Sequence, residues 1–143
     1  MRRLLLLAAL VALVALAACG GGGGRTPTIE VGQCFDDGES DEVESFPVVD
    51  CDEPHDNEVF HVYDVDADGD YPGTDALHEE GVERCTGEPF EAYVGEPYET
   101  SRFEVFTVVP TETSWGDGDR EVVCALYDPE DQTETGSARS TTA

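Results

Sequence analysis

The longest apolar stretch comes first: every residue from 4 to 18 is Leu, Ala or Val. After it, apolar residues come in short clusters divided by acids, Gly and Pro. Five clusters read as strands, at residues 31–35, 46–51, 58–65, 102–109 and 121–127. In residues 58–65, Val59, Tyr63 and Val65 lie on one side and Phe60 and Val62 on the other. Two apolar faces predict a central strand, and the last two clusters read the same way. Pro47 lacks an N–H and sends the second strand to a sheet edge. Between the third and fourth clusters the period lengthens. Asp75 can N-cap a helix whose first turn carries Glu79 and Glu80, favoured by the helix dipole, and Leu77, Gly81 and Cys85 share one face. Gly87 interrupts it. Pro89 opens another turn, Phe90, Tyr93 and Val94 form an apolar stripe for core packing, and Gly95 suits the C′ position. Beyond Pro129 apolar residues almost vanish, so residues 129–143 are expected to be a disordered polar tail. The pattern predicts an α+β fold: an antiparallel sheet of about five strands with one helical segment.

The first cluster belongs to export. Met1-Arg2-Arg3 precedes it, and at 15 residues it falls short of the ~20 needed to span a bilayer as a helix. It reads as a signal-peptide core, residues 1–18. Its end, Leu16-Ala17-Ala18-Cys19, resembles a bacterial lipobox. Small residues fit a peptidase cleft, and the Cys19 thiol would take the diacylglyceryl group. Gly20 to Gly24 follow as a flexible spacer, so residues 19–28 read as a tether reaching about 17 Å. Two or three acyl chains hold a protein firmly. The expectation is a lipid-anchored domain, residues 29–128, on the outer face of the cytoplasmic membrane.

Charge changes the picture next. The chain carries 33 acids against 7 Arg and no Lys, a net −26. This balance excludes electrostatic binding to nucleic acid, which needs cations to displace phosphate counterions. Removing the leader takes two arginines and no acid, and leaves Leu, Ile, Val and Phe below the ~20% under which so charged a composition is typical of disorder. Cysteine offsets the shortage. With Cys19 lipidated, Cys34, Cys51, Cys85 and Cys124 remain, and an even count in an exported domain reads as two disulfides with three connectivities. Cys34–Cys51 with Cys85–Cys124 is the preferred pairing. The first closes a short loop between strands and the second ties a helix to a late strand, worth about 3 and about 4 kcal/mol by loop entropy. A zinc site from Cys51, His55 and a second Cys lacks paired C-x-x-C ligands and is the weaker reading. The acidity itself suits either a recognition surface for a basic partner or wall cations, or adaptation to salt.

Candidate chemistry is sparse. His55 and Glu58 stand three apart and could form an acid/base or ligand pair, yet no nucleophile or phosphate loop accompanies them, so a local structural role is expected. Asp119 and Arg120 read as an ion pair beside Trp115, with the guanidinium stacked on the indole. Asp64, Asp66, Asp68, Gly69 and Asp75 match the spacing of a calcium loop, with Asp70 at the carbonyl position. Pro72-Gly73 and Tyr71 fit that loop poorly. Weak Ca²⁺ binding is therefore the second functional reading, and no other cofactor is expected.

Cys51-Asp52-Glu53-Pro54-His55-Asp56-Asn57-Glu58-Val59 resembles the C-x-x-P-H-x-x-E-V motif of the septum-formation domain family, small exported or membrane-anchored proteins of high-GC Gram-positive bacteria. Val31-Gly32-Gln33-Cys34, Tyr71-Pro72-Gly73, Cys85 with Phe90 and Tyr93-Val94-Gly95, Pro110, and Trp115-x-x-Gly118-Asp119-Arg120-x-Val122-x-Cys124 follow in matching order. The resemblance spans residues 29–128 and implies a link to cell division without implying a reaction. Many members carry transmembrane helices, where this chain has a lipobox. Pro54, His55, Glu58, Trp115, Gly118, Asp119 and Arg120 are then motif residues with structural roles. The expected protein is a non-enzymatic envelope module, held to the membrane by lipid and meeting an envelope protein partner.

Overall fold

The computed structural model describes residues 28–38, 46–131 and 133–140. Cys19, the leader, most of the tether and the three terminal residues lie outside them. Five strands form one antiparallel sheet: β1 (Cys34–Phe35), β2 (Val48–Val49), β3 (Asn57–Asp64), β4 (Glu104–Val108) and β5 (Glu121–Tyr127), in the order β2-β1-β3-β5-β4. β3 is central, as apolar residues on both its faces predict, but a register shift between Val59 and His61 puts Val62 on the side of Val59 and Tyr63 on that of Phe60; β2, with Pro47 beside it, lies at an edge. The first two strands are much shorter than expected. Gly32 takes φ 91° and turns the chain, donating its N–H to the Val59 carbonyl at 2.7 Å, so residues 31–33 form a turn.

β4 corrects the sequence reading, because it is the other edge rather than a central strand. Its inner face is covered by a helix instead of a further strand. That helix, α1 (Thr74–Cys85), approaches β4 closely at Gly81, where an added Cβ would stand 3.0 Å from the Thr107 methyl. His78 Nδ1 meets Thr107 Oγ1 at 2.8 Å on the same line. Gly73, at φ 100°, is the N-cap, and Asp75 lies inside the first turn, where its charge suits the helix dipole. α2 (Glu88–Val94) follows, with Pro89 in its first turn and Gly95 at φ 88° closing it, as the sequence indicates. A short third helix, α3 (Glu112–Gly116), was not expected. Thr111 and Ser114 form its capping box. None of the described helices is long and apolar enough to cross a membrane.

Alternation along β5 divides the core. Cys124 and Leu126 face the helices with Phe60, Cys85, Phe90, Tyr93 and Phe103. Val122 extends that face to Leu77 and Trp115. Val123 and Ala125 face the other way, with Phe35 and Val59. Both preferred disulfides are present. Cys85–Cys124 joins α1 to β5 with Cα atoms 5.7 Å apart, and Cys34–Cys51 closes the β1–β2 hairpin at 5.2 Å.

A second correction concerns the end of the chain. Residues 133–140 lie against the domain as a strap instead of a free polar tail. Glu134 exchanges both backbone hydrogen bonds with His55, at 2.9 and 2.7 Å. The Gly136 N–H reaches the Cys51 carbonyl at 2.6 Å, and the Ser140 N–H reaches that of Tyr93 at 2.8 Å. The strap is held by polar bonds, so its lack of apolar residues says nothing against its being ordered.

Candidate functional site

The motif around His55 and Glu58 is where the strap lands. His55 is 2% exposed and Glu58 1%. His55 Nδ1 lies 2.9 Å from the Glu53 carbonyl, which can only accept, so the ring donates there and pins its own turn. Glu58 begins the central strand and points its carboxylate into the fold. Three donors converge on it: the Tyr93 hydroxyl at 2.5 Å, the Ser137 hydroxyl at 2.5 Å and the Ala138 N–H at 2.6 Å. A buried carboxylate needs such donors to replace water. Burial, together with the bond to Glu58, pushes the Tyr93 phenol above its ordinary range. The Arg139 guanidinium stands 4.7 Å over the Tyr93 ring from the strap side.

Arg102 fastens the near end of the strap. It makes a two-pronged bond to Glu134, at 2.6 and 2.8 Å, and also reaches Asp128. Asp128 in turn accepts the N–H groups of Glu130, at 2.8 Å, and Asp131, at 3.2 Å. The Glu130 N–H is the main cause, followed by Asp131 and Arg102, that holds its carboxyl below the usual range. Between strap and sheet a cavity of about 120 Å³ is lined by His55, Asn57, Glu58, Phe103, Leu126 and Ser137, among others.

The second motif cluster lies elsewhere in the fold. Arg120 stacks 3.6 Å over the Trp115 ring, as expected. Its donors go to the carbonyls of Ala67, Trp115 and Asp119, while an Asp119 carboxylate oxygen accepts the Glu121 N–H. Trp115 Nε1 donates to the Gly69 carbonyl at 2.9 Å, and Gly118 takes φ 92° in the turn after α3. Trp115 and Arg120 thus hold the acidic 65–70 connection from beneath. Pro54 is exposed beside the His55 turn.

The calcium pattern is not gathered into a site. Asp64 is exposed at the end of β3, Asp66, Asp68 and Asp70 are exposed in the connection, and Asp75 is in α1. Among the described residues, two other groups bring three ligand-bearing side chains within 4.8 Å: Cys34, Cys51 and Glu58, and Asp128, Asp131 and Glu134. The first has both sulfurs in a disulfide, which also removes Cys51 from any zinc site with His55. The second already has a cation, the Arg102 guanidinium.

Tyr93, Arg102, Asp128, Glu134, Ser137 and Ala138 escaped the sequence reading as site residues. The available signal was chemical: a Glu opening a buried central strand must find donors.

A family model described as "Septum formation" matches residues 31–143, so it takes in the strap as well as the sheet. No curated protein and no solved structure matches the chain. With both motif clusters in place on the sheet and the match running through the strap, the chain belongs to the septum-formation family.

Proposed function

We propose that this protein is a lipid-anchored interaction or structural module of the cell envelope, acting in division and without catalysis. One observation carries the reading: the polar groups of the family motif are engaged inside the fold. His55 holds its turn and the strap, Glu58 accepts three internal bonds, and Arg120 holds the 65–70 connection. Side chains so engaged maintain a shape, and a shape of high negative charge suits recognition of a basic partner. The division role follows from the family, and the anchor follows from Leu16-Ala17-Ala18-Cys19.

The test combines detergent partitioning with crosslinking in growing cells. Wild type should enter the detergent phase, and Cys19→Ala should stay aqueous or remain as uncut precursor. Crosslinked wild type should carry a discrete envelope protein in dividing cells and lose it when division is blocked. A Cys19→Ala chain that still partitions with detergent removes the anchor from this reading. A crosslinking pattern indifferent to division removes the role.

A further inference from the structure

The Cys34–Cys51 disulfide lies against a buried carboxylate. Cys34 stands directly opposite Glu58 in the β1–β3 ladder, so both side chains leave the same face of the sheet. Both sulfurs and a Glu58 oxygen fall within 4.8 Å of one another. The two cysteines are unequal: Cys34 is wholly buried, whereas Cys51 is half-buried. The Cys85–Cys124 disulfide has no such group among the convergent clusters of the described residues.

We propose that Glu58 is the proton acceptor for Cys34 in thiol–disulfide exchange at the Cys34–Cys51 bond. The partner is an external thiol and its disulfide. In the closing direction Cys51 is joined to that thiol as a mixed disulfide, and Cys34 is a buried thiol. Burial disfavours the thiolate, which is the form that attacks. The Glu58 carboxylate takes the Cys34 proton. The Cys34 sulfur then attacks the Cys51 sulfur, the protein S–S bond forms, and the external sulfur leaves as a thiolate that draws a proton from water. Opening is the reverse: an external thiolate attacks half-buried Cys51, the S–S bond breaks, and Glu58 returns its proton to Cys34. Each closure exchanges one disulfide for another: the Cys34 sulfur is oxidised from thiol to disulfide level, the external sulfur is reduced from disulfide to thiol level, and the Cys51 sulfur is unchanged, so no other oxidant is needed. The groups facing Glu58 come from the helix side, the strap and its own turn, and three of them donate hydrogen bonds to its carboxylate. They are the Tyr93 phenol on α2, the Ser137 hydroxyl and Ala138 N–H on the strap, and His55, which is turned to Glu53. Of the charged groups nearby, Arg139 lies over the Tyr93 ring, and Asp56, Arg102 and Glu134 line the cavity that Glu58 also lines. This chemistry goes beyond the interaction role above and stands or falls without it.

The experiment exposes the purified exported chain to glutathione and its disulfide, traps free thiols by alkylation at intervals, and reads each cysteine by peptide mass. With an internal base, closure of Cys34 onto Cys51 in wild type should stay flat across neutral pH. Without one it climbs about tenfold per pH unit with the thiolate fraction. Glu58→Gln should slow this closure on the order of 100-fold near pH 7 and restore the steep slope. Cys85–Cys124, measured in the same sample, should be unaffected. Ser137→Ala loosens the strap but keeps the carboxylate, so it should retain the flat profile. A steep wild-type profile overturns the proposal without any variant. Equal slowing at both disulfides in Glu58→Gln, or a steep profile in Ser137→Ala, overturns it too.

Discussion

Glu58 and Ser137 are separated by 79 residues and joined by a 2.5 Å hydrogen bond in which the strap's hydroxyl donates to the sheet's buried carboxylate. The central strand is therefore completed by nearly the last residues of the chain. Glu58→Ala leaves the Tyr93 and Ser137 hydroxyls and the Ala138 N–H without their acceptor, and should cost about 3 kcal/mol in urea unfolding. Ser137→Ala removes a single donor and should cost about 1 kcal/mol. In the double variant the two losses should be less than additive, because both act on one bond. Strict additivity would show that the strap and Glu58 are uncoupled in solution.

The two disulfides should contribute unequally. Cys85–Cys124 closes 39 residues and Cys34–Cys51 closes 17, which by chain entropy corresponds to about 4 and about 3 kcal/mol. The longer bridge also lies in the helix-side core, with both sulfurs buried beside Phe60 and Phe90. Cys85→Ala with Cys124→Ala should therefore lower the melting temperature more than Cys34→Ala with Cys51→Ala. The reverse order in a thermal scan would place the larger constraint in the hairpin.

What the sequence revealed follows from what each element rests on. β5 was legible to the residue, because seven residues alternate between two buried faces and carry one half of a disulfide. Pro89 and Gly95 marked α2 by backbone chemistry alone. β4 was misplaced because cover from α1 over Thr107 imitates a neighbouring strand in an apolar pattern. The first two strands were overlong because Val31 belongs to a turn, Phe46 packs on Phe35 and Cys51 is in a disulfide, none of them in a ladder. The strap was illegible. Ser137, Ala138 and Arg139 have no periodicity, and their partners are fixed by three-dimensional proximity to Glu58 and Tyr93. The calcium spacing was a pattern without convergence, because β3 continues through Asp64 and α1 claims Asp75.

Arg120 should tolerate Lys poorly. Lysine keeps the charge but loses the planar fork that reaches the Ala67, Trp115 and Asp119 carbonyls while stacking on the indole. Arg120→Lys should cost about 2 kcal/mol and change the emission of Trp115, the chain's single tryptophan. Unchanged emission with full stability would mean that the stack holds nothing in place.

Tyr98 gives a local alkaline signal. Its hydroxyl donates to Glu104 at 2.5 Å, and chiefly that bond to a carboxylate raises its pKa to about 12. A raised value means that the bond's contribution is complete below the ordinary phenol value and is lost as pH rises through about 12. Absorbance titration of the phenols should show a late ionisation from Tyr98 beside the raised ones of Tyr63 and Tyr93, and Glu104→Gln should move the Tyr98 ionisation earlier. An unchanged titration in that variant would remove Glu104 as the cause.

Acid should release the strap before it unfolds the sheet. The Asp128 carboxyl is held below its ordinary value of 3.8 by the Glu130 N–H first, then by Asp131 and Arg102. A lowered folded value gives a contribution that is present above the unfolded value and lost as pH falls through the folded one. Between pH 5 and 8 this group should therefore leave the strap's stability unchanged. As pH falls below the ordinary carboxyl value, protonation of Asp128 weakens the Arg102 contact and frees the 128–131 turn, while β3 and β5 remain paired and bridged to α1. Hydrogen exchange at Gly136 and Ala138 should accelerate in acid before exchange in β5 does. Asp128→Asn removes the titrating group, so exchange in the strap should be faster at neutral pH and respond less to acid. Simultaneous acceleration in strap and β5 would mean that the two unfold as one unit and that Arg102 and Asp128 guard the whole domain.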